Sequence, residues 1–240
     1  LSDIFELPKE YFLKVRGSIA QVGNDTAPYA LYNVYTLEAL GNHTVGSSSN
    51  TYPLADLKPE KTLSWEVGVD YRMFKNRLGI DFTYYRSTTT DQILSMTVPG
   101  SSGYASKKIN AGKMESKGVE LMVTGTPIQT KDWRWDVTLN WGKNTTRNVE
   151  LDEKNKRYVF PLTTNVRVGK VVIDEGGKFG DIVSTAYKRN EDGRILVGDN
   201  GLPLIDTKSE KVIGNMMPEW TGSFGTTLSW KDIVFSSLMD

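Results

Sequence analysis

Apolar and polar residues alternate along this chain in runs that predict β-strands. Leu63, Trp65, Val67, Val69, Tyr71 and Met73 alternate with Ser64, Glu66, Gly68, Asp70 and Arg72. A four-residue turn, Phe74–Arg77, leads into Leu78, Ile80, Phe82 and Tyr84, which alternate with Gly79, Asp81 and Thr83. A period of two sends each set to its own face, so the pattern is a hairpin with one apolar, aromatic-rich face and one charged face.

The same pattern recurs along the chain. A first strand covers about Tyr11–Gly23, followed by a long connection, about Asn24–Glu60. The hairpin strands run near Lys61–Phe74 and Leu78–Leu94, and a second long connection, about Ser95–Lys113, leads to a strand near Met114–Thr126. A short turn at Pro127–Asp132 opens the strand in which Trp133, Trp135, Val137, Leu139 and Trp141 alternate with Arg134, Asp136, Thr138, Asn140 and Gly142. The longest connection, about Asn148–Met217, precedes Trp220, Gly222, Phe224, Thr226, Leu228 and Trp230, and the turn Lys231-Asp232 starts a seventh strand. Connections therefore alternate long, short, long, short, long, short. The fold class expected is all-β: an antiparallel meander of about seven strands belonging to a transmembrane outer-membrane β-barrel, with long extracellular loops and short periplasmic turns.

Lengths agree with a membrane. Trp220 and Trp230 stand about 33 Å apart along an extended strand, which projects to about 25 Å at a tilt near 40°, the height of an apolar band between aromatic girdles. A soluble β-sandwich, and with it a surface-exposed glycan-binding or adhesion module, is the alternative that alternation alone leaves open. Arg86 falls on the apolar face at the far end of its strand, which leaves two readings open: contact with lipopolysaccharide phosphates, or a strand register that differs slightly from this one.

Composition sharpens this picture. The hydrophobic fraction of 38% suits a barrel with a wet interior, and no apolar run in the 240 residues reaches the ~18 of a membrane-spanning helix. The 29 basic and 29 acidic residues cancel, which argues against a phosphate-tracking nucleic-acid surface. Cysteine is absent, so disulfide scaffolds, thiolate metal sites and cysteine nucleophiles are excluded. A seven-stranded set cannot close a bacterial barrel, so these residues are expected to form part of something larger.

Particular segments carry a resemblance. Phe12–Ser18 running into Gln21–Asp25, Leu57–Thr62 followed by Gly68-Val69-Asp70, and Asn76-Arg77-Leu78 resemble the SusC/RagA family of TonB-dependent outer-membrane transporters. So do Tyr84-Tyr85-Arg86, Asn110–Met114, Lys117–Leu121 ahead of Thr126-Pro127-Ile128, Val212–Asn215 and Pro218–Gly222. The resemblance implies that residues 1–240 are part of the barrel domain of such a receptor, with plug domain and closing strands outside it. It also implies a barrel of about 22 strands plugged from within, import of oligosaccharides or peptides, energy from the TonB complex, and a SusD-like surface lipoprotein as partner.

Site chemistry is sparse, and neither a catalytic residue nor a cofactor or metal ligand is expected. His43 is the only histidine, which leaves no multi-histidine zinc site. Glu66 and Asp70 share a face but lie about 13 Å apart along the strand, too far for a glycosidase pair. They are expected to pair with Arg72, Lys14, Arg16 or Arg134 on the lumenal face. Asn190–Gly193 and Asp199–Gly201 bracket Arg194–Val197 as a small extracellular hairpin. Loop aromatics, which stack on sugar rings or bury peptides, are the candidate substrate contacts: Tyr29, Tyr32, Tyr35 and Tyr52 in the first long loop, Tyr104 in the second, Tyr158 and Tyr187 in the third.

Overall fold

The computed structural model describes residues 8, 10–26, 31–53, 56–110, 112–151, 156–160 and 169–240. In chain order the strands are β1 (Phe12–Asn24), β2 (Tyr35–Leu40), β3 (His43–Ser48), β4 (Thr51–Tyr52), β5 (Glu60–Met73), β6 (Leu78–Thr90), β7 (Ile93–Thr97) and β8 (Ser106–Asn110). There follow β9 (Lys113–Gln129), β10 (Trp133–Glu150), β11 (Arg157–Val159), β12 (Lys170–Asp174), β13 (Asp181–Tyr187), β14 (Ile205–Asn215), β15 (Thr221–Trp230) and β16 (Ile233–Met239).

Seven long strands make one wall in the order β1-β5-β6-β9-β10-β15-β16, every neighbouring pair antiparallel. These are the seven strands that the alternation predicts. Residues directly opposite in an antiparallel pair share a face, and the register keeps the faces separate. Val15, Val69, Phe82, Leu121 and Trp141 lie opposite one another across five strands, and so do Arg16, Gly68, Thr83, Glu120 and Gly142 on the other side. The apolar face is bare even at the middle of the wall, where Leu139 is 46% and Phe82 42% exposed. A sandwich would cover that face with a second sheet. Lipid does so in a membrane barrel.

Aromatic rings mark both ends of this band. Trp133 stacks on Trp230 with centroids 5.6 Å apart beside the short turns, and Trp65 packs on Tyr84 at 5.4 Å toward the long loops. Trp220 sits just outside β15 and is 61% exposed, so it flanks the strand. In the turn after β5, Phe74, Lys75 and Asn76 all adopt positive φ, and Lys231 does the same between β15 and β16.

The ends of β6 and β9 differ from the sequence reading. β6 ends at Thr90, because Asp91 turns the chain with φ 57°, and Ile93–Thr97 leaves the wall to pair with β8. β9 continues through Pro127 to Gln129, so the connection to β10 is only Thr130–Asp132. Proline is tolerated there because the register shifts between Trp135 and Val137, a bulge that asks for no N–H from residue 127. Arg77 donates to the freed carbonyls of Thr126 and Pro127 at 2.8–3.1 Å.

The long loops contain sheets of their own. β2 and β3 form a hairpin, β4-β8-β7 join the first and second loops, and β11-β12-β13-β14 build a four-stranded sheet in the third. The apolar residues most shielded from solvent, Val172, Ile173 and Val183, belong to this last sheet and not to the wall. Arg194–Val197 lies between the two expected turns, with Ile195 bridged antiparallel to Arg189 and Val197 to Pro203. It is laced between the chain on either side, with Leu196 donating to Lys188, Leu204 to Leu196 and Lys188 to Leu204, all within 2.9 Å.

Candidate functional site: the lumenal wall and extracellular rim

The charged face of the wall is tied by interactions that span strands. Arg16 on β1 reaches over β5 to donate to both carboxylate oxygens of Asp81 on β6, at 2.7 and 2.6 Å, and to Thr83 at 2.6 Å. Gly68 lies beneath it, where a Cβ would stand 2.7 Å from Arg16 Nε. A side chain at residue 68 would therefore block the crossing. Arg72 grips Asp70 and Arg134 grips Asp136 two residues along their own strands. The expected partners of Asp70 thus resolve to Arg72, whereas Arg16 selects Asp81 and Arg134 selects Asp136. Asp81 was missed as a partner, although its parity with Gly79 and Thr83 already put it on the lumenal face.

Among the concavities that open on this face, two lie toward the loops. One, of about 690 Å³, is lined by Arg16, Asp81, Thr83, Glu120 and Asn140 among others. The other, of about 240 Å³, lies where β10 runs beyond the start of β15, between Tyr85, Glu120 and Asn144 on the wall and Lys178, Glu219 and Trp220 above. Both present carboxylate, cationic and amide groups together, suited to hydroxyl-rich or zwitterionic solutes.

At the rim, Asn110 fastens the loops to the wall. Its side chain accepts from Lys58 N–H at 2.6 Å and donates to the carbonyls of Lys58 and Asp91, each at 2.7 Å. Glu60 adds to this by accepting from Ile93 N–H at 2.7 Å and Asn24 Nδ2 at 3.1 Å. On the third-loop sheet, Arg157 of β11 donates to Asp174 of β12 at 2.5 and 2.7 Å and to Glu210 of β14 at 2.6 Å, while Lys170 donates to Glu210 at 2.8 Å.

The hydrogen bond from Lys170, and then that from Arg157, holds the Glu210 carboxyl below its ordinary pKa of 4.5. Because the folded value is the lower one, this stabilisation is complete above pH 4.5 and is lost as pH falls through the folded value. Protection of residues 170–187 against hydrogen exchange in the full receptor, taken relative to the intrinsic rate at each pH, should therefore fall on acidification below that range. Glu210→Gln should speed exchange at neutral pH and weaken the pH dependence. An unchanged profile would show that the sheet does not depend on this pair.

The candidate aromatics separate into groups. Tyr52 and Tyr104 meet edge to face at 5.1 Å, and Asn33 donates to the Tyr104 hydroxyl at 3.3 Å. Tyr158 packs on Phe160, which packs on Phe179, and the Tyr158 hydroxyl donates to the Ser95 carbonyl, linking the third loop to the second. Tyr32, Tyr35 and Tyr187 stand apart and exposed. Tyr29 lies outside the described residues.

Known proteins resemble this arrangement. Residues 8–236 match the family described as TonB dependent receptor-like, beta-barrel. TonB-dependent receptor P3 of Formosa agariphila is 26% identical over 95% of this chain and 26% of its own length. TonB-dependent receptor SusC of Bacteroides thetaiotaomicron is 30% identical over 74% of the chain and 20% of its own length. The RagAB peptide transporter structure superposes on 99% of the chain with a TM-score of 0.78 at 22% identity, covering 27% of that chain. The chain thus spans about a quarter of the length of these relatives.

Proposed function

We propose that this chain, which belongs to the TonB-dependent receptor family and forms part of an outer-membrane β-barrel, serves a TonB-energised importer of oligosaccharides or peptides that works with a SusD-like surface lipoprotein. The family is one of transporters and receptors and not of enzymes. The observation that carries the reading is the two-faced wall. Its bare apolar side fits lipid, and its other side carries the Arg16–Asp81–Thr83 link and two polar concavities along a solute's path. In this reading residues 1–240 are one part of the barrel domain, and the plug lies elsewhere in the receptor. Tyr52, Tyr104, Tyr158 and the exposed Tyr32, Tyr35 and Tyr187 border the entrance as cargo or lipoprotein contacts, and Tyr29 belongs to the same loop.

The experiment is deletion of the whole receptor in its native host, followed by uptake of labelled oligosaccharide and peptide pools. Loss of uptake of one pool, reproduced by removing TonB, supports the reading and names the cargo class. Unaltered uptake of both pools would reject it.

A further inference from the structure

Cations gather on the outer side of the wall immediately above the apolar band. Arg86 on β6 lies directly opposite Lys117 on β9, and Trp65 lies opposite Arg86 on the other side. Lys143 on β10 lies opposite Val119, one step diagonally from Lys117 and on the same face. All three cations are exposed. Directly opposed residues hold their Cβ atoms about 5 Å apart, and like charges so placed destabilise a sheet. Only Arg86 has an ion-pair partner among the described residues, namely Glu115, and Arg147 opposite Glu115 adds a further cation one step higher. One carboxylate among four cations leaves the repulsion largely uncompensated by the protein itself.

The height of this cluster can be derived from the register. From Trp65 the row crosses Arg86 and Lys117 to Thr145, and four residues down β10 stands Trp141. Four residues descend about 10 Å at a tilt near 40°, while three strand spacings climb about 9 Å, so the two indoles stand level. By the same geometry Arg86, Lys143 and Lys117 lie about 3–6 Å above the indoles. Indoles mark the membrane–water interface, and the layer just above them holds lipid phosphates. Lysine and arginine stems reach along apolar surface to place their charges there.

We propose that Arg86, Lys117 and Lys143 form a binding site for the phosphate of an outer-leaflet glycolipid of the lipid A kind, whose acyl chains lie against Trp65, Tyr84 and Val119 below. Continuity with the apolar band selects a lipid over a free anion, since a ligand held at this level has hydrocarbon directly beneath its charged group. The site depends on the barrel wall and is independent of cargo.

The test uses the full receptor purified in detergent, with lipid A, enzymatically dephosphorylated lipid A or inorganic phosphate added, and retained lipid measured by native mass spectrometry. Lipid A should bind, and the dephosphorylated form should bind far less. Lys117→Gln combined with Lys143→Gln should weaken lipid A binding roughly thirtyfold, from about one step of interfacial attraction per lysine. Heat-modifiable gel mobility confirms that the variant is a folded barrel, and Glu66→Gln, on the opposite face, should leave lipid binding unchanged. Equal lipid A binding by the lysine variant, equal binding of dephosphorylated lipid A, or full displacement by inorganic phosphate would each overturn the assignment.

Discussion

Arginine in place of Val69 should destabilise the folded receptor by about 2–4 kcal/mol, the cost of a cation near the bilayer midplane on the lipid side of a barrel. Val69 stands opposite Val15 on β1 and Phe82 on β6, in the middle of the apolar face. It lies four residues beyond Trp65, hence about 10 Å below the upper girdle of a band about 25 Å tall. A guanidinium there must snorkel about that far to reach headgroups or draw water into the acyl region. Ser18→Arg is the matched control. Ser18 faces the lumen opposite Glu66, so the new cation gains a partner and water, and the change should cost less than about 1 kcal/mol. Denaturant unfolding of the full receptor in liposomes measures both. A Val69→Arg cost no larger than that of Ser18→Arg would contradict the lipid-facing orientation.

The orientation tested by that pair of variants was legible from alternation alone, since a period of two assigns Val69 and Ser18 to opposite faces without any knowledge of partners. The strand order followed as well: short turns force β5–β6, β9–β10 and β15–β16 to pair, and a meander lays each hairpin beside the strand before it across the long loops. The sheets inside the loops were not legible. β11 and β12 are only three and five residues long, and such runs gain their identity from neighbours distant in sequence. The pairing of β4 with β8, across fifty-five residues from Thr51 to Ser106, has no local signature at all. Among the candidate aromatics, Tyr52 and Tyr104 were singled out by type and loop position, but their contact is a product of that pairing. The Arg16–Asp81 link escaped for a similar reason: reading neighbours one strand away favoured Asp70, whereas Gly68 lets the guanidinium pass over β5 to the strand beyond.

The segments that resemble the SusC/RagA family acquire a physical meaning once the contacts are known, because they meet in pairs. Arg16 of the first crosses Gly68 of the third. Arg77 holds the carbonyls of Thr126 and Pro127. Tyr85 lies across Gly118, leaving no room for a side chain there. Asn110 bonds the backbone of Lys58. Each pair joins a residue that reaches to one that makes way or offers a backbone group, and together they set register between strands whose apolar faces alone would tolerate a two-residue slip.

Gly112→Ala should be the most damaging single-methyl change at the rim. Gly112 has φ +79°, and a Cβ there would stand 2.2 Å from the carbonyl oxygen of Glu150, a backbone atom that no side-chain rotation can move. The left-handed backbone costs alanine about 1–2 kcal/mol, and relieving the overlap adds about 1–3 kcal/mol. The overlap must be relieved by parting the start of β9 from the end of β10, where Lys113 pairs with Glu150 beyond a register shift. Asn110, two residues earlier, would be drawn off Lys58 and Asp91, freeing the second loop. Gly103→Ala isolates the backbone component, since Gly103 has φ +78° with nothing within 4 Å of its Cβ. Limited proteolysis of intact cells should therefore show faster cleavage between residues 91 and 113 in Gly112→Ala, with Gly103→Ala close to the parent. Melting of the purified receptor should follow the same order. Equal behaviour of the two variants would mean that the rim yields freely at Glu150, and that backbone conformation alone explains the glycine.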